Sequence, residues 1–261
     1  MKLSQEKVNQ LIKTNQPMPG HIRHITGGAT ITNAYTHGDS WSELTSIGGG
    51  LSVGKGCELN LSALTRISGY LHLEKDAHAN LSALTSIGSS LHLQKEAHAD
   101  LPVLTRIGGY LYLEKDAHAE LSALTSIGVN LTLEEDAHAN LSALTSIGGH
   151  LSVGKGCEFN LSALTKISGS LYLEKDAHAD LSALTSIGVN LTLEEDVHAD
   201  LSALTSIGCS LHIDEYTEPL PTQIRHLETR ENYKLIYQAE DIANQVTSSG
   251  DISVIKRRAS L

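Results

Sequence analysis

Residues 61–80 read LSALTRISGYLHLEKDAHAN and residues 81–100 read LSALTSIGSSLHLQKEAHAD. The same frame runs on through 101–120, 121–140, 141–160, 161–180, 181–200 and 201–220, and back to 41–60, where Trp41 takes the place of the first Leu. About nine units of 20 residues therefore follow one another between Trp41 and Leu220 with no insertion or deletion. A fixed period of this length marks a stacked repeat array, in which no unit buries its apolar face alone.

Within the unit the apolar positions are Leu61, Leu64, Ile67, Leu71, Leu73, Ala77 and Ala79. Leu71 and Leu73 alternate with His72 and Glu74, the period-two pattern of a strand with one buried side. The preceding Ile-Ser-Gly or Ile-Gly-Gly supplies a tight turn where a Cβ is awkward. Ala77 and Ala79 alternate with Asp76, His78 and Asn80, a second extended stretch that admits only small side chains inside. A helix pair does not fit, because helical repeats need apolar spacings of three and four over ten or more residues. The spacing predicts an all-β solenoid, a parallel β-helix with 20 residues per coil and short helical caps at its ends. A coarser repeat lies on top: LSVGKGCELN (51–60) returns as LSVGKGCEFN (151–160), which reads as a duplication of five coils.

The pattern L-x-x-L-T-x-I-G-G-x-L-x-L resembles the short bacterial leucine-rich repeat and the receptor L-domain, over roughly residues 22–235. It departs from the leucine-rich pattern where Lys75-Asp76 stands in place of the usual Asn after the strand, which favours a straighter β-helix. The resemblance implies a binding scaffold.

Solenoid ends need covering, since an open terminal coil exposes strand edges. Residues 1–18 read as an N-terminal helical cap, with Ser4 as N-cap and Val8, Leu11 and Ile12 on one side. Residues 19–236 form the solenoid with degenerate coils at both ends. In the first of these, HIRHITGGATIT (21–32), about two extra residues precede Trp41. Residues 237–261 read as a C-terminal helix followed by a flexible tail. Its Lys256-Arg257-Arg258-Ala259-Ser260 resembles a basic-directed kinase substrate.

Composition bounds the function. Phe and Trp occur once each, against 22 Gly and 5 Pro, so the interior is narrow and aliphatic. With 30 acidic and 19 basic residues the net charge is -11, which argues against direct binding of nucleic acid or anionic membrane. No stretch is apolar enough to span a bilayer, and the N-terminus does not read as a secretory signal. Cys57 and Cys157 occupy one position in coils five apart, about 24 Å at the ~4.8 Å spacing of strands, beyond disulfide reach. A cytoplasmic location, or export without a cleaved signal, is the expectation.

Stacking turns each repeat position into a column. His78, His98, His118, His138, His178 and His198 form one, interrupted by Glu158; acidic residues on either side make it a candidate divalent-metal ladder. The Thr column from Thr45 to Thr205 reads as a hydroxyl ladder at a strand edge. Residues 49–56, GGLSVGKG, approach a phosphate-binding loop but lack the final Ser or Thr and lie on a strand with no following helix, so nucleotide binding is rejected. Glu74, Glu114, Glu134, Glu174 and Glu194 stand beside Asp76, Asp116, Asp136, Asp176 and Asp196; such carboxylate rows could imitate nucleic-acid phosphates, although Lys75, Lys95, Lys115, Lys155 and Lys175 dilute them. Nothing selects one coil as a catalytic cleft, and no cofactor is implied.

The function expected from these features is a non-enzymatic scaffold for a protein partner: an effector, inhibitor or adaptor of bacterial or phage origin. Tyr70, His72, Tyr110, Tyr112 and Tyr172 are the candidate contact residues. The alternatives are an acidic mimic that inhibits a DNA-binding protein, and the metal ladder. A homodimer is compatible with either.

Overall fold

The computed structural model describes residues 2–213 and the short strand Lys234–Ile236. Each regular coil carries three short strands separated by turns. In the coil that opens at Leu61, Arg66–Ile67 lies on a first face, Leu71–Leu73 on a second and His78–Asn80 on a third. All pairing among the described residues is parallel and joins each residue to its counterpart in the next coil: Leu71 faces Leu91, His72 faces His92 and Leu73 faces Leu93. The first and second faces are each an eleven-stranded sheet, and the third divides into a five-stranded and a three-stranded sheet. The molecule is thus the all-β parallel solenoid with 20-residue coils expected from the repeat.

The predicted inward positions are those that are buried. Leu61, Leu64, Ile67, Leu71, Leu73, Ala77 and Ala79 are closed to solvent, and the same holds down most of their columns. Because most coils contribute the same residue at the same height, the interior is a set of largely aliphatic rows packed at strand spacing. The two-residue strand of the first face is an addition to the sequence reading, since two residues are too short to show an alternation.

Two turns require particular residues. After Ile127 the chain passes so close to the coil before it that a Cβ on Gly128 would sit 2.1 Å from the Gly108 carbonyl oxygen. Between the second and third faces, the Ala77 N–H donates to the Glu74 carbonyl at 3.0 Å, and Asp76 takes φ of 59°. The same left-handed corner is filled by Gly56, Glu96, Asp116, Asp136, Gly156, Asp176 and Asp196. Gly adopts this conformation freely, and Asp tolerates it better than most side chains.

The Thr column is a hydrogen-bonded ladder. Thr65 donates both its backbone N–H (2.9 Å) and its Oγ1 hydroxyl (3.0 Å) to the Thr45 carbonyl, and the pattern repeats coil by coil to Thr205.

At the N-terminal end, the strand Lys2–Leu3 pairs with His24–Ile25 before the helix Gln5–Lys13 begins. The cap is therefore a strand and a helix: the strand satisfies the open edge of the first sheet, which a helix alone cannot do. Ser4 caps the helix by accepting from the Lys7 N–H, and Val8 and Ile12 are buried under it. The first coil carries two extra residues, seen in the pairing of His24 with Ser46 and Ala29 with Leu51. Trp41 is fully buried, with its indole N–H donating to the Tyr35 hydroxyl at 3.1 Å. At the far end, Lys234–Ile236 adds a strand beside Ser210–His212. The C-terminal helix and tail read over 237–261, with the basic segment at 256–260, lie outside the described residues.

The split in the third face coincides with Phe159. That inward position holds Ala at 79, 99, 119, 139, 179 and 199, and a stack of methyl groups lets strands close to ladder distance. Phe159 is buried, and its strand Glu158–Asn160 pairs onward with His178–Asp180 but not back with His138–Ala139. The break falls where the Ala139 methyl is followed by the Phe159 ring, and it is confined to this face; the other two sheets run past it unbroken.

Removing the Cβ at a left-handed corner should stabilise the fold. Asp136→Gly is expected to raise stability by about 0.5 kcal/mol. The exposed Lys115–Asp136 ion pair at 3.3 Å that it removes contributes little, as surface pairs do. Chemical denaturation of the two proteins checks the sign.

Candidate functional site

The outer side of the second face carries a column of Ser52, His72, His92, Tyr112, Thr132, Ser152, Tyr172, Thr192 and His212. Parallel register places like rings directly over one another. His72 and His92 stack with centroids 4.7 Å apart and planes within 1°, and His92 stacks on Tyr112 at 4.8 Å and 13°. Tyr70 and Tyr110 stand just before this strand in their coils and are 47% and 44% exposed. Of the five residues expected to meet a partner, Tyr70, His72, Tyr110 and Tyr112 share one patch over three coils. Tyr172 does not join them, because Thr132 and Ser152 separate it from Tyr112 along the column. His92 completes the patch; its membership was available from the repeat, since it is the His72 position one coil on.

The neighbouring acidic column is bound internally. Each Glu reaches back across the coil boundary: Glu74 accepts from the Lys55 backbone N–H at 3.0 Å, Glu114 from Lys95, Glu134 from Lys115, Glu174 from Lys155 and Glu194 from Lys175. Gln94 does the same for Lys75. The second carboxylate oxygen takes the ring group one coil earlier, so His92 Nε2 meets Glu114 at 2.8 Å and the hydroxyls of Tyr112 and Tyr172 donate to Glu134 and Glu194. Tyr112 is held protonated by that bond, with its pKa pushed up to about 12. The adjoining corner carboxylates pair with lysines, as in Lys75 with Glu96 at 3.1 Å and Lys115 with Glu135 at 2.7 Å. The Glu column, together with Asp76, Asp116 and Asp136 of the row beside it, is thus hydrogen-bonded or ion-paired within the solenoid.

His72 breaks the rule. Its expected partner is Gln94 in place of a carboxylate, and its Nε2 is buried without a hydrogen bond. Burial, and then the neighbouring His92, push its pKa below the usual imidazole value.

The third face carries the histidine column, outward on strands whose alanines point in. His98 and His118 stack at 4.6 Å, as do His178 and His198 at 4.5 Å. His138 ends the first run, and the break at Phe159 separates it from the second. The acidic residues before the histidines turn toward the lysines of the corner, and those after them line the same face. His118 Nε2 lies 3.1 Å from Glu120 and His98 Nε2 3.0 Å from Asp100. The histidine and Asn/Asp columns wall an open groove over the alanine backbone. It amounts to about 600 Å³ around Glu158, His178, Asp180, His198 and Asp200, and about 340 Å³ between the loop at Thr36 to Asp39 and Glu58, His78 and Asn80.

Cys57 and Cys157 are buried, which raises their thiol pKa, and Cys209 is exposed. Among the described residues no helix is long and apolar enough to cross a membrane. Comparison with family models, with curated proteins and with solved structures finds no match for this chain. The fold and its columns are therefore the basis for a functional reading.

Two titrations follow. A histidine whose folded pKa is depressed takes up its proton more readily when unfolded, so His72 withdraws stability as pH falls from the unfolded value near 6.5 toward its own lower one. Gln94→Glu supplies the missing carboxylate; it is expected to raise the His72 pKa and to flatten that loss, which imidazole NMR titration and melts across the window check. Glu134→Gln is expected to bring Tyr112 down from about 12 toward the ordinary phenol value, read from ultraviolet absorbance at alkaline pH.

Proposed function

We propose that this chain is a non-enzymatic scaffold that holds a protein partner on its second face. The observation that carries the reading is the aromatic patch: two exposed tyrosines, Tyr70 and Tyr110, beside the His72–His92–Tyr112 stack. Aromatic side chains contribute most to interfaces when little freedom is lost on binding. Here the stack is fixed beforehand by the ladder beneath it and by the Glu114 and Glu134 bonds beside it. Its resemblance to leucine-rich repeats and receptor L-domains supports the same role, as an effector, inhibitor or adaptor from a bacterium or its virus. A regular solenoid suits recognition because its columns present side chains at fixed intervals over a long surface.

Affinity capture from host lysate with the full chain as bait is expected to retain a discrete protein through a high-salt wash, and Tyr70→Ser combined with Tyr110→Ser should release it. Capture only of basic DNA-binding proteins, lost on adding salt and indifferent to the tyrosines, would instead favour mimicry by the acidic columns.

A further inference from the structure

The geometry points to a divalent-cation site formed by His78, His98 and Asp100 on the third face, away from the aromatic patch and independent of its reading. One ligand atom from each of the three lies within 4.8 Å of the other two. His98 Nε2 is 3.0 Å from Asp100 Oδ1, and His78 Nε2 is 3.8 Å from Asp100 Oδ2. Ligand atoms on one tetrahedral zinc ion stand about 3.4 Å apart, so small side-chain rotations close the set. The side chains are part-exposed, at 50%, 36% and 39%, which leaves the remaining positions to water.

Six histidines share this column, and two observations single out this pair. The first is ring orientation. His78 and His98 meet edge to face at 77°, and a ring nitrogen of each lies within 4.8 Å of the other and of an Asp100 oxygen; His98–His118 and His178–His198 are stacked within 4° of parallel, and His118–His138 is tilted at 49° with its centroids 6.2 Å apart.

The second observation is Pro102. In other coils the short side chain at the end of the third strand folds back on its own turn. Asn60, Asn80, Asn140, Asn160, Asp180 and Asp200 each accept the backbone N–H of the Ser two residues on, at 3.0 to 3.2 Å. At Asp100 that residue is Pro102, which has no N–H to give. The carboxylate is thereby released from the turn and swings to the two imidazoles. Proline here is a positioning residue that converts a turn cap into a metal ligand.

Imidazole and carboxylate donors in an open site suit zinc and its borderline neighbours, with Cu²⁺ and Ni²⁺ following the usual affinity order. The test is calorimetric titration of chelator-stripped full-length protein with Zn²⁺. One strongest site per chain is expected, lost in His98→Ala and Asp100→Asn and kept in the double variant His178→Ala with His198→Ala. Pro102→Ser installs the residue found at this position in the neighbouring coils, so it folds, and it should weaken Zn²⁺ about tenfold by returning Asp100 to its turn. Equal melting temperatures in chelator separate loss of the site from loss of the fold. Absence of a site, undiminished binding in His98→Ala, a strongest site that depends on His178 and His198, or an affinity unmoved by Pro102→Ser would each overturn the proposal.

Discussion

Parallel pairing at a constant offset of one coil is the constraint on which the rest of this molecule depends. Once Leu71 faces Leu91 and His72 faces His92, every other position in the coil must stack on its own copy. Apolar residues gain from this, since rows of Leu and Ile pack flat at strand spacing and close a core with almost no aromatic mass. Polar residues face a harder requirement. Like groups at about 4.8 Å repel or leave each other unpaired unless a second bond is available on each side. The Thr hydroxyls meet it by donating to the carbonyl of the coil before, and the Glu side chains by reaching back to a Lys N–H.

That second device explains how a chain of net charge -11 tolerates a column of carboxylates. Each Glu has one oxygen on the backbone and, where the preceding coil offers His92, Tyr112 or Tyr172, the other on a ring group. The acidic rows thus brace the corner between second and third faces and at the same time fix the aromatic stack in place. Structure and candidate interface share the same bonds, so a change in the Glu column alters both.

The period, the inward positions, the strand at Leu71–Leu73 and the extended stretch at Ala79 were all legible in the sequence, because each leaves a pattern in composition that repeats coil after coil. The two extra residues of the first coil were legible for the same reason. Three features were not. The strand at Arg66–Ile67 is too short for an alternation, and Lys2–Leu3 belongs to no repeat. The division of labour among acidic residues depends on bonds between coils, which spacing within one coil does not reveal. The aromatic patch was legible too: Tyr70, His72, Tyr110, Tyr112 and Tyr172 follow from the frame, as do the coils carrying Val-Asn and Thr that break it, and along the column Thr132 and Ser152 set Tyr172 apart. Departures from the repeat proved as informative as the repeat itself. Gln94 leaves the His72 Nε2 without a hydrogen bond, and Pro102 offers Asp100 no N–H.

Phe159 is the departure with the widest reach. In an array held together by contacts between neighbours, cooperativity passes from coil to coil through the ladders they share. Between the other regular coils from 41 to 200 three ladders carry it, and between His138 and Glu158 only two do. That boundary is where the third face stops contributing to the contact between coils. Neighbour-to-neighbour coupling across that boundary therefore rests on the first and second sheets alone.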